Sequence, residues 1–284
     1  MSCLNLRNAA LVALMFGVVV SAQTAQAAFI TFDNGAGNNQ WGTAVNWSNN
    51  SLPTTNDFVS LSNGQTVNIT TEAAVGEYLD ILGGATLNIS GGALDFGFAN
   101  NRWMWVGFTS PGTVVQTGGT VTGHGNNTDI WVDQYGTYQL LGGTISVPDD
   151  LNLDGGTFQV SGSATIVLGD DIRAFSPSTL EIELVGTTAP TIQVGGTLRA
   201  ADLTLDIDTT QWSGAADVEL FNVGQNVLGS FAAVNVNGQP VDPTNFSISG
   251  GSVMLLATPE PSSGLTALMA FGMVAWLVRR RVRR

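Results

Sequence analysis

A repeated pair of glycines limits the folds available to this 284-residue chain more than any other feature. Each pair precedes a short segment in which apolar and polar residues alternate, as at Leu87/Ile89 and Phe158/Val160. Glycine adopts positive φ without a Cβ clash, so each pair permits a tight bend. Alternation with a period of two is typical of a strand that is buried on one face. The pairs are Gly83-Gly84, Gly91-Gly92, Gly118-Gly119, Gly142-Gly143, Gly155-Gly156 and Gly195-Gly196.

The spacing of these pairs predicts an all-β parallel β-helix. The intervals from Gly91 to Gly118 and from Gly118 to Gly142 each fit one coil of a solenoid, and the shorter interval from Gly142 to Gly155 fits half a coil. Ordinary parallel sheets are buried on both faces and have continuous apolar strands, whereas these strands alternate. A β-sandwich is the alternative, because antiparallel strands also alternate and because Asn63-Gly64 and Asn237-Gly238 are typical hairpin turns. The repeated position of the glycine pairs before the strands favours the solenoid.

The segment before the first pair is rich in Trp, Asn and Gly and predicts an N-terminal cap. An uncapped first coil would expose its apolar interior, and Trp41 and Trp47 are large enough to fill it. A sugar-stacking platform is the alternative role for these two indoles. The order of Trp47, Pro53 and Asp57 is similar to the opening of exported bacterial β-solenoid proteins with autotransporter-type strand repeats.

Changes in composition divide the chain into five predicted segments. The last segment before the tail has more apolar strands, which indicates an antiparallel cap. The segments are a signal peptide over 1–27, the N-terminal cap over 28–70, the β-solenoid over 71–208, a C-terminal antiparallel β cap over 209–257 and a hydrophobic tail over 258–284.

The N-terminus predicts export. Arg7 precedes the apolar run Ala9–Val20, and small residues place a signal-peptidase cleavage site between Ala27 and Ala28. Cys3, the only cysteine of the chain, lies inside this signal peptide. Disulfide and thiolate chemistry are therefore not expected in the mature protein.

The C-terminal tail combines a Pro-Glu-Pro motif, an apolar helix and a cluster of arginines. Residues 262–278 contain no charge, and a helix of this length reaches about 25 Å, slightly short of a hydrocarbon core of about 30 Å. Arginines directly after a transmembrane helix stay on the cytoplasmic side, so the preceding domain faces the other side. The motif is Pro259, Glu260 and Pro261, and the arginines begin with Arg279, Arg280 and Arg281.

This three-part tail resembles the PEP-CTERM sorting signal. The resemblance implies processing by an exosortase near Pro259-Glu260-Pro261, after transient anchoring in the inner membrane of a Gram-negative bacterium. It also implies delivery to the cell surface or the extracellular space in an organism that makes exopolysaccharide. An ordinary C-terminal membrane anchor is the alternative.

The exported part is strongly acidic. From Ala28 to Thr258 it carries three arginines (Arg102, Arg173 and Arg199), no lysine and 21 carboxylates, a net charge of −18. Such a surface repels nucleic acid and anionic lipid, because no basic groove displaces counterions from phosphate. Divalent cations are the ions that it would attract.

The residues of the exported part offer little catalytic chemistry. His124 is the only histidine and lies in a Gly-rich loop, so a zinc site or a Cys-His pair is not expected. A Ser-His-Asp set around His124 lacks a nucleophile-elbow sequence. We therefore predict neither catalytic residues nor a resident cofactor or metal, and we do not expect an enzyme.

Carboxylates are the remaining candidates for chemistry. Asp149, Asp150 and Asp154 flank one strand, and Asp170 and Asp171 follow about one coil later. If they stack, they form the oxygen-rich environment that calcium prefers; the alternative is solvated turn aspartates. A polysaccharide lyase or hydrolase would pair these carboxylates with Arg173 or Arg199.

Trp103 and Trp105 lie two residues apart, on the same face of a strand. On an outward face they would form a stacking strip for a glycan, and on an inward face they would fill the coil; core packing is the favoured interpretation. The sequence as a whole favours a structural protein of the cell surface or extracellular matrix, associated with exopolysaccharide or a biofilm. A carbohydrate-binding module is the first alternative, and a β-helix polysaccharide lyase or hydrolase is the second.

Overall fold

The chain folds into a parallel β-solenoid of about eight coils in a computed structural model that describes residues 27–214, 217–241, 246–249 and 251–256. The strands form three sheets of nine, and the only helix in the described residues is a 3-10 turn, Ala44–Asn46. The described residues include no helix with the length and apolarity needed to span a membrane. Most of the predicted signal peptide and the predicted hydrophobic tail lie outside the described residues.

Each sheet takes one strand from nearly every coil, and the strands are numbered here in chain order. The first sheet contains β1 (Phe29–Thr31), β2 (Phe58–Leu61), β5 (Tyr78–Ile81), β8 (Arg102–Val106), β11 (Thr128–Asp133), β14 (Leu151–Asp154), β17 (Ile172–Ser176), β20 (Leu198–Arg199) and β23 (Val227–Leu228). The second sheet contains β3 (Thr66–Ile69), β6 (Ala85–Ile89), β9 (Gly112–Gln116), β12 (Gly136–Leu140), β15 (Thr157–Ser161), β18 (Ser178–Gly186), β21 (Leu203–Trp212), β24 (Ala233–Val236) and β25 (Gln239–Pro240). The third sheet contains β4 (Ala73–Gly76), β7 (Ala93–Phe96), β10 (Thr120–Gly123), β13 (Thr144–Val147), β16 (Thr165–Leu168), β19 (Thr191–Val194), β22 (Val218–Val223), β27 (Ser252–Leu255) and β26 (Phe246–Ser249).

The pairing register shows that the coils differ in length. One coil carries the chain from Phe58 to its partner Tyr78, whereas a longer coil carries it from Leu198 to its partner Val227. All pairs between strands of successive coils are parallel up to β24, which confirms the solenoid and excludes the β-sandwich. The short interval between two glycine pairs separates two corners of the same coil, because Gly142-Gly143 precedes the third sheet and Gly155-Gly156 precedes the second.

Inward side chains from successive coils stack into one apolar core. In the first sheet the same inward position is filled on the six consecutive coils from β5 to β20, and every one of these side chains is buried. Burying a side chain of this size stabilises the fold by roughly 1.5–3 kcal/mol. The six are Leu79, Met104, Ile130, Leu151, Ile172 and Leu198.

The glycine pairs form corners where neighbouring coils nearly touch. Gly143 has a φ of 85°, and a Cβ built there would lie 2.5 Å from the Gly119 carbonyl oxygen. Gly195-Gly196 differs from the prediction, because neither residue has positive φ in the structure. A Cβ at Gly196 would instead collide with the carboxylates of Asp170 and Asp171. Close approach of two coils, rather than an unusual φ, therefore requires glycine at that corner.

Aromatic residues fill the N-terminal end of the core. Trp41 and Trp47 are 2 % and 0 % exposed, and their rings meet edge to face at 4.7 Å. The Trp41 amide donates a hydrogen bond of 3.0 Å to the Asn68 carbonyl at the start of the second sheet. Buried rings cannot stack on a sugar, so the platform alternative is wrong for these two indoles.

Antiparallel strands end the second and third sheets, at the end of the solenoid nearest the C-terminus. β24 and β25 form a hairpin around the predicted Asn237-Gly238 turn, and β27 pairs antiparallel with β22 and β26. The other predicted hairpin, at Asn63-Gly64, is wrong: both residues have positive φ, but the turn connects strands of different sheets. Parallel pairing extends from Phe29 to Val236, so solenoid strands also occupy parts of both segments interpreted as caps.

Candidate functional site

The outer surface of the first sheet carries a group of half-buried and exposed aromatic rings. Met104 and Val106 of β8 point inward, so Trp103 and Trp105 point outward, and the core interpretation of these two indoles is wrong. Trp105 pairs in register with Trp131 of the next coil. We call this surface the aromatic face; its rings are Phe58, Tyr78, Trp103, Trp105, Phe108, Trp131 and Phe175.

Contacts between these rings hold the aromatic face in one arrangement. Tyr78 meets Trp103 and Trp105 edge-on at 5.6 and 5.5 Å. The two indoles stack with 5.7 Å between centroids, and Phe108 stacks on Trp105 at 4.5 Å. Phe108 nevertheless remains 48 % exposed. The result is a preordered apolar platform with ring surface still open to solvent.

Three buried aspartates continue the same surface over the next coils. Asp129, Asp150 and Asp171 occupy equivalent positions, directly before the inward residue of each strand. The Oδ1 of Asp129 accepts a hydrogen bond from the Asp150 amide at 3.2 Å, and that of Asp150 accepts one from the Asp171 amide at 2.7 Å. The Thr197 amide donates to Asp171 in the same way at 2.5 Å. These bonds connect each coil to the next, and we call the three residues the aspartate ladder.

Arginine supplies the positive charge at the end of the aspartate ladder. The guanidinium of Arg173 lies 2.8 Å from Asp150 Oδ2 and 3.1 Å from Asp171 Oδ2. Arg199 lies 2.9 Å from Asp171 Oδ2. Although burial alone would raise the pKa of Asp171, the Thr197 amide and the two guanidinium groups lower it. Both arginines considered for a lyase are thus engaged in ion pairs between coils.

Carboxylates also lie in mutual contact along the aspartate ladder. Asp129, Asp149 and Asp150 each offer an oxygen within 4.8 Å of the others, as do Asp150, Asp170 and Asp171. Burial raises the pKa of Asp129 to about 6, with Asp149 adding to the effect, and raises that of Asp150 to about 7. Three carboxylates are a fitting part of a calcium site, which takes six to eight oxygen ligands. Calcium binding here stays the alternative to the predicted absence of a metal.

Asp154 does not join this cluster. It lies at the far end of β14, about 13 Å along the strand from Asp150 at 3.3 Å per residue. There it pairs in register with Asp133 of the preceding coil. Together with Phe108, Gln134 and Ser176 the two carboxylates line a pocket of about 300 Å³, which we call the edge pocket.

The sequence interpretation missed three aspartates of this surface. Asp129 lies near the start of β11 and Asp133 at its end, with the same four-residue spacing as Asp150, directly before β14, and Asp154 at its end. That repeated spacing could have revealed Asp129 and Asp133. No such signal in the sequence marks Asp80, which lies on β5 with Tyr78 and pairs in register with Trp105. Burial raises the pKa of both Asp80 and Asp133 to about 6, and Asp154 adds to the shift of Asp133.

His124 lies apart from this surface, in the loop after β10, whereas Arg102 begins β8 directly before Trp103. His124 is exposed, stacks on Phe98 with 4.6 Å between centroids, and lies 3.1 Å from Asp95. Arg102 pairs with Glu77 at 2.7 Å, so all three arginines of the described residues are in ion pairs. No second histidine exists in the chain to extend the His124–Asp95 contact into a zinc site.

Comparison with known families identifies the C-terminal segment. Residues 257–284 match the PEP-CTERM protein-sorting motif, which confirms the sorting signal predicted from Pro259-Glu260-Pro261 and Arg279, Arg280 and Arg281. This motif implies an exported protein that an exosortase sorts and whose C-terminal anchor is cleaved. No curated protein and no solved structure matches the chain.

Proposed function

We propose that the exported solenoid is a structural protein of the Gram-negative cell surface or extracellular matrix that binds a polysaccharide along its aromatic face. The observation that carries this proposal is the outward, preordered group of rings around Trp103 and Trp105. These half-buried and exposed rings take no part in the core, which Met104 and Val106 already fill. Contiguous exposed apolar patches of this kind mark binding surfaces.

The chemistry of the aromatic face suits a sugar polymer. An indole offers a large flat apolar surface that packs against the C–H face of a sugar ring. A carboxylate such as that of Asp80, which is half-buried beside these rings, accepts hydrogen bonds from hydroxyl groups. The coils repeat about every 4.8 Å, so one chain can contact several coils, and many weak contacts then add to useful avidity.

We propose that the protein binds its polysaccharide without cleaving it. The lyase considered from the sequence needs a free arginine beside the carboxylates, whereas Arg173 and Arg199 are held by Asp150 and Asp171. His124, the one histidine, lies in a separate loop after β10. These placements support a binding role over catalysis.

The proposal is tested by titrating the processed protein with neutral polysaccharides while following indole fluorescence. Replacement of Trp103 or Trp105 by alanine should weaken binding roughly two- to tenfold, because a stacked aromatic contact contributes about 0.5–1.5 kcal/mol. Trp212→Ala is the matched control, since Trp212 lies at the end of β21 in the second sheet.

Two results would overturn the proposed function. One is an affinity that stays the same in Trp103→Ala and Trp105→Ala while both variants melt normally. The other is shortening of the polymer, which would make the protein an enzyme. Adding a chelator should leave binding unchanged, because stacking needs no cation.

A further inference from the structure

The edge pocket lies where the aromatic face ends. Phe108 lines this pocket and also stacks on Trp105 at 4.5 Å. A ligand that lies on the indoles is therefore next to the pocket. The pocket volume of about 300 Å³ is at the lower end of the range for small-molecule sites. It therefore has the size for one unit of a longer polymer.

One carboxylate of the edge pocket lacks a donor. Asp133 is only 6 % exposed, and its Oδ2 has no hydrogen-bond partner within the described part of the chain. Asp154, the neighbouring carboxylate on the next coil, adds repulsion rather than a donor. A buried carboxylate oxygen without a donor is unfavourable, so a positively charged ligand group would be stabilised there.

The aspartate ladder differs from the edge pocket in this respect. Asp150 and Asp171 are paired with the guanidinium of Arg173, and Asp129 accepts the indole N–H of Trp103 at 3.1 Å. Asp80 also has one oxygen without a partner among the described residues, but burial alone raises its pKa, with no second carboxylate contributing. The Asp133–Asp154 pair therefore combines a missing donor with the repulsion of two carboxylates, which an outside cation would relieve.

We propose that the edge pocket binds the ammonium group of an amino sugar, within a polysaccharide that carries free amines. This inference rests on the proposed function and adds the chemical class of the ligand. An ammonium group has three N–H donors, which match Asp133, Asp154 and the hydroxyl of Ser176. The ring of Phe108 adds a cation–π partner.

Calcium fits the edge pocket less well. Calcium takes six to eight oxygen ligands, whereas the pocket offers two carboxylates, the amide of Gln134 and one hydroxyl beside an aromatic wall. The net charge of −18 over the exported part also attracts a polycation at long range. Both the local and the overall charge therefore favour an amine-bearing polymer.

The test compares two oligosaccharides of equal length on the processed protein: a β-1,4-linked glucosamine oligomer with free amines and its fully N-acetylated counterpart. Calorimetry at physiological salt should show at least tenfold tighter binding of the free amine form. Asp133→Asn and Asp154→Asn should each remove most of that preference and leave binding of the acetylated form unchanged. Asp154→Asn is the variant of the more exposed residue, so it tests the site even if Asp133→Asn unfolds.

Glu181→Gln is the matched control, because it removes one carboxylate from the outer surface of the second sheet. If Glu181→Gln lost as much of the preference for the free amine form as Asp133→Asn and Asp154→Asn, overall charge rather than the edge pocket would attract the amine. That result would overturn the inference. Equal affinity for both oligosaccharides would also overturn it, as would full displacement of the amine form by millimolar calcium at constant ionic strength. If the acetylated oligomer still binds through Trp103 in such a case, the proposed function stands and only this inference fails.

Discussion

Aspartates on the first sheet show that the same type of side chain can have opposite pKa shifts at different positions of one surface. Asp171 receives an amide N–H and two guanidinium groups, and its pKa falls. Asp133 is as deeply buried but lacks a donor for one oxygen, and burial raises its pKa to about 6. Burial is similar for both, so the supply of donors decides which form of the carboxyl group is favoured.

The raised pKa values predict an unusual dependence of stability on pH. Asp129, Asp133 and Asp150 have folded pKa values of about 6 to 7, above the unfolded value of about 3.9. The folded state therefore binds more protons than the unfolded state between about pH 4 and pH 7, and stability falls as the pH rises through this window. Urea unfolding should give a free energy of unfolding roughly 1 to 3 kcal/mol higher at pH 5 than at pH 7.5.

The variant Asp133→Asn serves as the control for this effect, because asparagine does not titrate and keeps the side-chain volume. This substitution should reduce the difference in the free energy of unfolding between pH 5 and pH 7.5. Asp171, whose pKa is lowered, loses its contribution to stability only below about pH 4. It therefore does not oppose the fall in stability between pH 5 and pH 7.5. Stability that is constant or that increases from pH 5 to pH 7.5 would contradict the prediction.

At the scale of the strand and its corner, glycine decides how closely two coils pack. Gly143 needs glycine for two reasons, its positive φ and the nearby Gly119 carbonyl. Gly64 has positive φ too, at 67°, but a Cβ there would meet no atom within 4 Å. The two positions therefore separate backbone strain from close contact between coils.

Alanine substitution at these two corners should have unequal effects. Gly64→Ala should destabilise the protein by roughly 1 kcal/mol, because an L-residue at positive φ costs about that much. Gly143→Ala should cost roughly 2 to 4 kcal/mol, since the neighbouring coil must also move. Urea unfolding of the two variants measures both values. Equal losses of unfolding free energy in the two variants would show that contact between coils adds nothing to the destabilisation at the Gly143 corner.

The whole molecule is a solenoid with distinct ends. Trp41 and Trp47 fill the N-terminal end of the core, and antiparallel strands end two of the three sheets near the C-terminus. The PEP-CTERM motif begins at residue 257, shortly after β27 ends at Leu255. The sorting segment thus follows the last strand of the solenoid almost directly along the chain.

Processing should shorten the chain at both ends. Intact-mass measurement of the protein from its own host should give a start at or near Ala28 and the loss of Arg279–Arg284. Combined replacement of Pro259 and Pro261 by alanine should preserve the uncut C-terminus, whereas Pro240→Ala, outside the motif, should not. Recovery of the complete C-terminus from a mature surface fraction would contradict exosortase processing.

The sequence by itself determined the solenoid and the sorting signal, because both depend on local patterns. Strand alternation and glycine corners repeat along the chain, and the tail motif lies in one continuous stretch. The sequence also showed that Trp103 and Trp105 share a face, but only the packing of Met104 and Val106 into the core decided that this face points outward. The partnership of Asp133 with Asp154 depends on register between coils. Since the coils differ in length, spacing in the sequence does not give that register, and only the tertiary structure could decide which carboxylates meet.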